Sequence, residues 1–225
     1  MSAPLGNSRS ISTNQVGVHD KLDDIVKKYQ QSESRRPISE HTQFAFAQAS
    51  DWLEGWNGPV ILDSCCGVGE STANLAKRFP AHKIIGIDKS AARIDKHHAY
   101  RGSNDNYRLV RADVNDFWRL VRRSNWQVCQ HFLLYPNPYP KSSQVQKRWH
   151  ASAAMPDLMA ITSSIQVRSN WVVYLMEFAQ AARHYGVTSH LSSIAQGDAF
   201  TPFERKYQQS GQTCWRLDCG SEEQE

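Results

Sequence analysis

The chain has no apolar run near the ~20 residues a membrane-spanning helix needs, no cysteine or histidine spacing of the kind that holds zinc, and no internal repeat. The first absence excludes an integral membrane helix and the second a metal centre, so no membrane partner and no metal are expected. The third excludes a solenoid. The five cysteines, Cys65, Cys66, Cys129, Cys214 and Cys219, are odd in number and two are adjacent. They are read as buried or partly buried thiols in a reducing compartment rather than as a disulfide framework. Met1 to Gln15 is polar and has no apolar core, so no secretory leader is expected and the chain is expected in the cytoplasm.

What remains is a 225-residue chain with a formal charge of +4 and an isoelectric point near 8.8. That length supports one substantial α/β domain with a real core. Residues 1–57 are expected to form a flexible N-terminus followed by a helical extension, and residues 58–225 the domain itself. The mild positive charge suits a polyanionic partner without requiring one.

Apolar runs alternate with helix-periodic segments. Short helices are predicted over 20–29 and from Ser39 to about Glu54, the latter ended by Gly58-Pro59. Strands are predicted at 60–65, 83–88, 107–112, 129–135 and 164–169. The helices between them fall at about 69–79, from Ser90 through the basic residues Arg93 to Arg101, at 115–123, and at 152–163 with Pro156 in its first turn or kinking it. A helix at 171–185 leads to two last strands near 188–194 and 213–218. Alternating strands and helices call for a parallel sheet. The last two strands flank a polar loop, which predicts an antiparallel hairpin closing the sheet.

The chemistry sits at strand ends. Val60-Ile-Leu-Asp-Ser-Cys-Cys-Gly-Val-Gly-Glu70 is an apolar run ending in an acid and a turn, and Lys83-Ile-Ile-Gly-Ile-Asp88 ends a second run in another acid. This is a β-α-β unit of the kind that lays a nucleotide across its strand ends. The turn has only Gly67 and Gly69, with Cys65 where a dinucleotide site has its first glycine, and Asp63 would repel a phosphate. A ligand with a cationic sulfonium, S-adenosylmethionine, suits it better than NAD or ATP. Asp88, about 20 residues on, is placed to accept from both ribose hydroxyls. Asp113 is placed near the adenine amino group. Gly67 and Gly69 allow close backbone approach, and Asn137 closes the fourth strand on the same cleft. The competing assignment for these acids is simple helix capping.

Together with Tyr135-Pro-Asn-Pro-Tyr-Pro-Lys141 and Thr201-Pro-Phe-Glu204, these motifs resemble the bacterial tRNA guanine-N7 methyltransferases, from about residue 58 to the C-terminus. The resemblance implies a Rossmann-like class I fold with a seven-stranded, mostly parallel sheet, an antiparallel C-terminal hairpin and helices on both faces. It implies S-adenosylmethionine as cofactor and tRNA as substrate. It places Asn137 at the reacting base and Lys141, Asn170, Thr201 and Glu204 around the RNA. The chain departs from the family where Asn137 and Asn170 replace acids and where Ser143, Gln144 and Gln146 thin a basic loop. These departures keep two alternatives open: methyl transfer to another base or a small molecule, and a catalytically weak module that binds RNA or a partner. The sequence does not distinguish a monomer from a homodimer.

Overall fold

The computed structural model describes residues 6–197 and 199–220. Two helices come first, α1 (Leu22–Gln30) and α2 (Glu40–Trp52). The domain follows with β1 (Val60–Ser64), α3 (Glu70–Arg78), β2 (Lys83–Asp88), the short α4 (Ala91–Ile94), β3 (Tyr107–Arg111), α5 (Val114–Arg122) and β4 (Val128–Leu134). Two 3₁₀ turns then lead to α6 (Met155–Ile161), β5 (Ile165–Ser169), α7 (Val172–Arg183), β6 (Ser189–Ser193), α8 (Pro202–Gln209) and β7 (Trp215–Cys219).

The seven strands form one sheet in the order β3-β2-β1-β4-β5-β7-β6. The first five are parallel, and β7 runs antiparallel between β5 and β6. Strand β1 is central and every residue in it is buried. Its alternate side chains serve opposite faces, because strand periodicity is two. Val60 and Leu62 join a large core with residues of α1, α2, α5 and α7. Ile61 joins a smaller core with Leu75 and Ala76 of α3. Helices therefore cover both faces. Among the described residues no helix is long and apolar enough to cross a membrane.

The structure differs from the sequence expectations in four places. The polar connection between β6 and β7 contains α8. Thr201 caps it by accepting from the Glu204 N–H at 3.0 Å, and Pro202 occupies its first turn. Thr-Pro-x-Glu is a helix-start pattern that the loop assignment overlooked. The basic helix is a single turn of α4 that tightens into a 3₁₀ segment, Asp95–Ala99, so Arg101 lies beyond it. Cys129 is exposed, while the other four cysteines are buried or half-buried, and all five are free.

The fourth difference is the N-terminal lead. Its first five residues lie outside the described part, but Asn14 and its neighbours are held against the domain. Thr13 Oγ1 donates to the Pro140 carbonyl at 2.6 Å, and the Ser142 N–H donates to Asn14 Oδ1 at 3.0 Å. The buried Gln15 side chain joins a network around Arg148 and Glu177.

Arg148 and Glu177 are both wholly buried and paired at 2.5 Å. Burial alone pushes the Glu177 carboxyl up. The hydrogen bond from His150 and the charge and hydrogen bond of Arg148 outweigh it and leave the group at about 2. His150 is lowered by its own burial, so it donates as a neutral ring. Breaking such a pair strands a buried charge at a cost of about 3–5 kcal/mol. Glu177→Gln is therefore expected to lose stability of that order in urea unfolding at pH 7. Because the folded carboxyl lies below its usual 4.5, its contribution is complete above that pH and fades as pH falls toward 2. The gap between wild type and variant should close over that window.

Candidate active site

The sheet's strand order reverses between β1 and β4, and ligands of open α/β sheets bind outside the strand ends at such a point. A cavity of ≈ 1040 Å³ lies there. Cys65 and Asp88 border it from the ends of β1 and β2, Asp113 from the end of β3, and the Tyr135–Tyr139 segment from the end of β4.

Three non-glycine residues among those described have left-handed backbone: Cys65 (φ 63°), Tyr135 (φ 55°) and Tyr139 (φ 44°). All three border this cavity. Such conformations cost of order 1–3 kcal/mol each and persist where surrounding contacts impose them, most often at functional sites. Cys65 turns the chain out of β1 so that the Cys66 N–H donates to the Ile87 carbonyl at 3.1 Å and the Gly67 N–H to Asp88 Oδ2 at 3.0 Å. Gly67 has φ 61° and open space where a Cβ would stand. Gly69 has φ 75°, and a Cβ there would meet Leu109 at 2.5 Å and His97 at 2.7 Å. Gly69 therefore serves close packing, while Gly67 leaves room.

The carboxylates differ in role. Asp88 is 3% exposed and borders the cavity. Its Oδ1 accepts from the Ser90 N–H at 2.8 Å, and Arg93 lies 3.5 Å from Oδ2. Asp113 caps α5 through the N–H groups of Asn115 and Asp116 and also borders the cavity. Beside it, Asn115 also borders the cavity, and its Oδ1 is buried without a hydrogen-bond partner. Asp63 is fully buried and does not border the cavity. Its Oδ2 takes the hydroxyls of Ser71 and Thr72, each at 2.6 Å, which ties α3 to β1.

On the β4 side, Asn137 is exposed at the cavity, and its Oδ1 accepts from the Tyr139 N–H at 3.3 Å. The other four sequence candidates stand outside the lining. Lys141 is exposed, with its carbonyl held by Arg148. Asn170 donates to Gln212 at 2.8 Å. Thr201 caps α8, and the buried Glu204 receives Arg168 Nη1 on both oxygens, at 3.1 and 3.0 Å. Cys65, Asn115, Phe203 and Tyr207 also border the cavity, and the sequence pattern assigned none of them a place in the site. Phe203 was within reach, as the aromatic side chain of the Thr-Pro-Phe-Glu helix start.

Comparison with known proteins fits this geometry. Residues 57–217 match a family model described as "Putative methyltransferase". The chain belongs to this methyltransferase family. It is 26% identical over 152 residues to a "tRNA (guanine-N(7)-)-methyltransferase" of Mycolicibacterium gilvum, a match covering 64% of this chain and 53% of that protein. It is 22% identical over 178 residues to a protein of the same description from Pediococcus pentosaceus, covering 71% and 80%. The chain thus spans about half the length of the first relative. Among solved structures, "Structure of an Antibiotic Related Methyltransferase" superposes with a TM-score of 0.52 at 12% identity, covering 83% of this chain and 96% of that one. That likeness supports the Rossmann-like class I fold.

S-adenosylmethionine is the methyl donor of this fold, and the residues fit it. The Gly67 turn, next to the cavity residue Cys65 and bonded to Asp88, has open space where a Cβ would stand. Asp88 offers a buried carboxylate edge, and Asn115 an unpaired acceptor.

Asp63 titrates unusually. Burial raises its carboxyl to about 6; the Ser71 and Thr72 hydroxyls only partly offset this, and the Asp88 charge adds to it. A raised folded-state value means the stabilising contribution is complete below the usual 3.8 and is lost as pH rises through 6. Two units correspond to ~3 kcal/mol. Asp63→Asn keeps the shape and the hydroxyl contacts, so thermal unfolding of the variant should lack this loss between pH 4 and 6. Parallel pH profiles for the two proteins would refute the assignment.

Proposed function

We propose that this chain transfers a methyl group from S-adenosylmethionine to N7 of a guanine in tRNA. The observation that carries the reading is one cavity with carboxylates at one end, where β2 and β3 finish, and aromatic side chains at the other, around the β4 loop and α8. The names of the relatives add the substrate.

The bound cofactor supplies an electrophilic methyl on a sulfonium. The chain's part is binding, orientation and exclusion of water. Asp88, held by Gly67 and Ser90, takes the ribose hydroxyls on its remaining acceptor capacity. Asn115 takes the adenine amino group on its unpaired Oδ1, while Asp113 fixes the start of α5 beside it. Gly67 lets the backbone approach the cofactor, with Gly69 and Asp63 holding the turn in shape from behind.

Guanine N7 carries a lone pair and no proton at neutral pH, so no general base is required. Asn137 orients the base. Its oxygen is engaged by the Tyr139 N–H, which leaves the amide NH₂ to donate to an acceptor such as guanine O6. Arg36 and Lys147 border the cavity and suit flanking phosphates. Lys141, Asn170, Thr201 and Glu204 act from outside the lining, Lys141 toward the RNA and the others by fixing the segments that carry the site.

Two measurements test this. Incubation with unmodified tRNA and labelled cofactor should place label at 7-methylguanine, detected by strand cleavage at that base. Incorporation without cleavage would move the target to another atom. Asp88→Ala should weaken S-adenosylhomocysteine binding in calorimetry by ~1.5–3 kcal/mol, the range for hydrogen bonds to a charged group. Unchanged affinity would remove Asp88 from the cofactor site.

A further inference from the structure

We propose that Phe203 is the stacking platform for the target base, and that the Phe203–Tyr207 face of α8 forms a nucleobase site distinct from the cofactor end of the cavity. The proposal rests on the nucleobase-methyltransferase reading above and identifies the side chains that hold the substrate.

The two polar residues of Thr201-Pro-Phe-Glu204 look inward. Thr201 caps the helix, and Glu204 is wholly buried against Arg168 and the Phe200 N–H. They clamp the first turn of α8 from both sides. Phe203, between them, is 46% exposed and borders the cavity. A large apolar ring held on so rigid a turn and left open to solvent has no packing role that the fold accounts for. Its plane lies within 25° of the Tyr207 ring, with centroids 6.3 Å apart. Tyr207 in turn lies 5.5 Å from Tyr135, whose left-handed backbone turns the chain out of β4. Tyr139 borders the same cavity.

Every nucleobase offers a π-face, and aromatic side chains bind bases by stacking on it. The volume is also in proportion. Single small-molecule pockets run to ~300–1,000 Å³, so ≈ 1040 Å³ has room for a nucleoside cofactor with a second flat ring beside it. The cations Arg36 and Lys147 at the rim match the phosphates that accompany an extruded base. Polar recognition then falls to Asn137 and grip on the ring to Phe203.

The test compares wild type with Phe203→Ala, Phe203→Leu and Phe203→Tyr. Losing one base stack corresponds to about 5- to 150-fold. The Ala and Leu variants should raise both KM for tRNA and the tRNA Kd measured with S-adenosylhomocysteine bound by that factor. Phe203→Tyr should stay within about threefold of wild type, and all three variants should bind S-adenosylhomocysteine as wild type does. Saturation-transfer NMR with guanosine 5′-monophosphate on the S-adenosylhomocysteine-loaded protein reads the site without RNA or turnover. The base proton should receive saturation in wild type and Phe203→Tyr and lose it in the other two. An active wild type whose Leu variant matches it in both assays overturns the platform, as does an Ala variant that no longer binds S-adenosylhomocysteine. A wild type that saturates the nucleotide but methylates no tRNA keeps the platform and removes the tRNA reading.

Discussion

The guanidinium of Arg148 holds together the parts from which the site is made. It is wholly buried, and each of its nitrogens has a partner: Glu177 on α7, Gln15 of the N-terminal lead, and the carbonyls of Tyr139 and Lys141. Its face lies 4.9 Å from the centre of the Trp171 ring. A planar, permanently charged fork with five donors suits such a junction, and a lysine could not fill it. Desolvation makes the arrangement all-or-none, because any missing partner leaves charge or donor stranded at low dielectric.

That constraint explains how the β4 loop tolerates its conformation. Tyr139 has left-handed backbone that a tyrosine disfavours. Its carbonyl is pinned by two Arg148 nitrogens, its N–H by Asn137, and the following Pro140 carbonyl by Thr13. On the other side of the cavity Cys65 is held in the same unfavourable region by the turn that brings Gly67 to Asp88. The strain on both walls is a cost of holding the cavity open and shaped before any ligand arrives, which spares reorganisation when one binds. The N-terminal lead is thus a structural member of the site.

Much of the fold was readable from pattern alone. The run Lys83 to Asp88 forms a strand with those bounds, and Ser39 and Pro59 mark true boundaries. The acids that end β1, β2 and β3, together with Asn137, were placed on one cleft; Asp88, Asp113 and Asn137 border it and Asp63 does not. Helix α8 was missed because a polar stretch between two strands suggests a loop, although Thr201 and Glu204 sit at capping-box spacing. Arg148 stands at the end of the basic loop that Ser143, Gln144 and Gln146 thin. Nothing local tells a buried arginine from a solvated one; its burial follows from Glu177, 29 residues later in the chain, and Gln15, 133 residues earlier.

The sequence by itself determined the order of the strands, their ends to within about two residues, and the acids carried there. Those are consequences of periodicity and of turn chemistry acting over a few residues. Tertiary structure decided which polar side chains face the cavity and which face the core. Asp63 and Glu204 carry the same kind of group as Asp88, yet the first two are spent on Ser71, Thr72 and Arg168 inside the protein. A carboxylate takes whichever donors surround it after the chain has packed, and those donors come from distant segments.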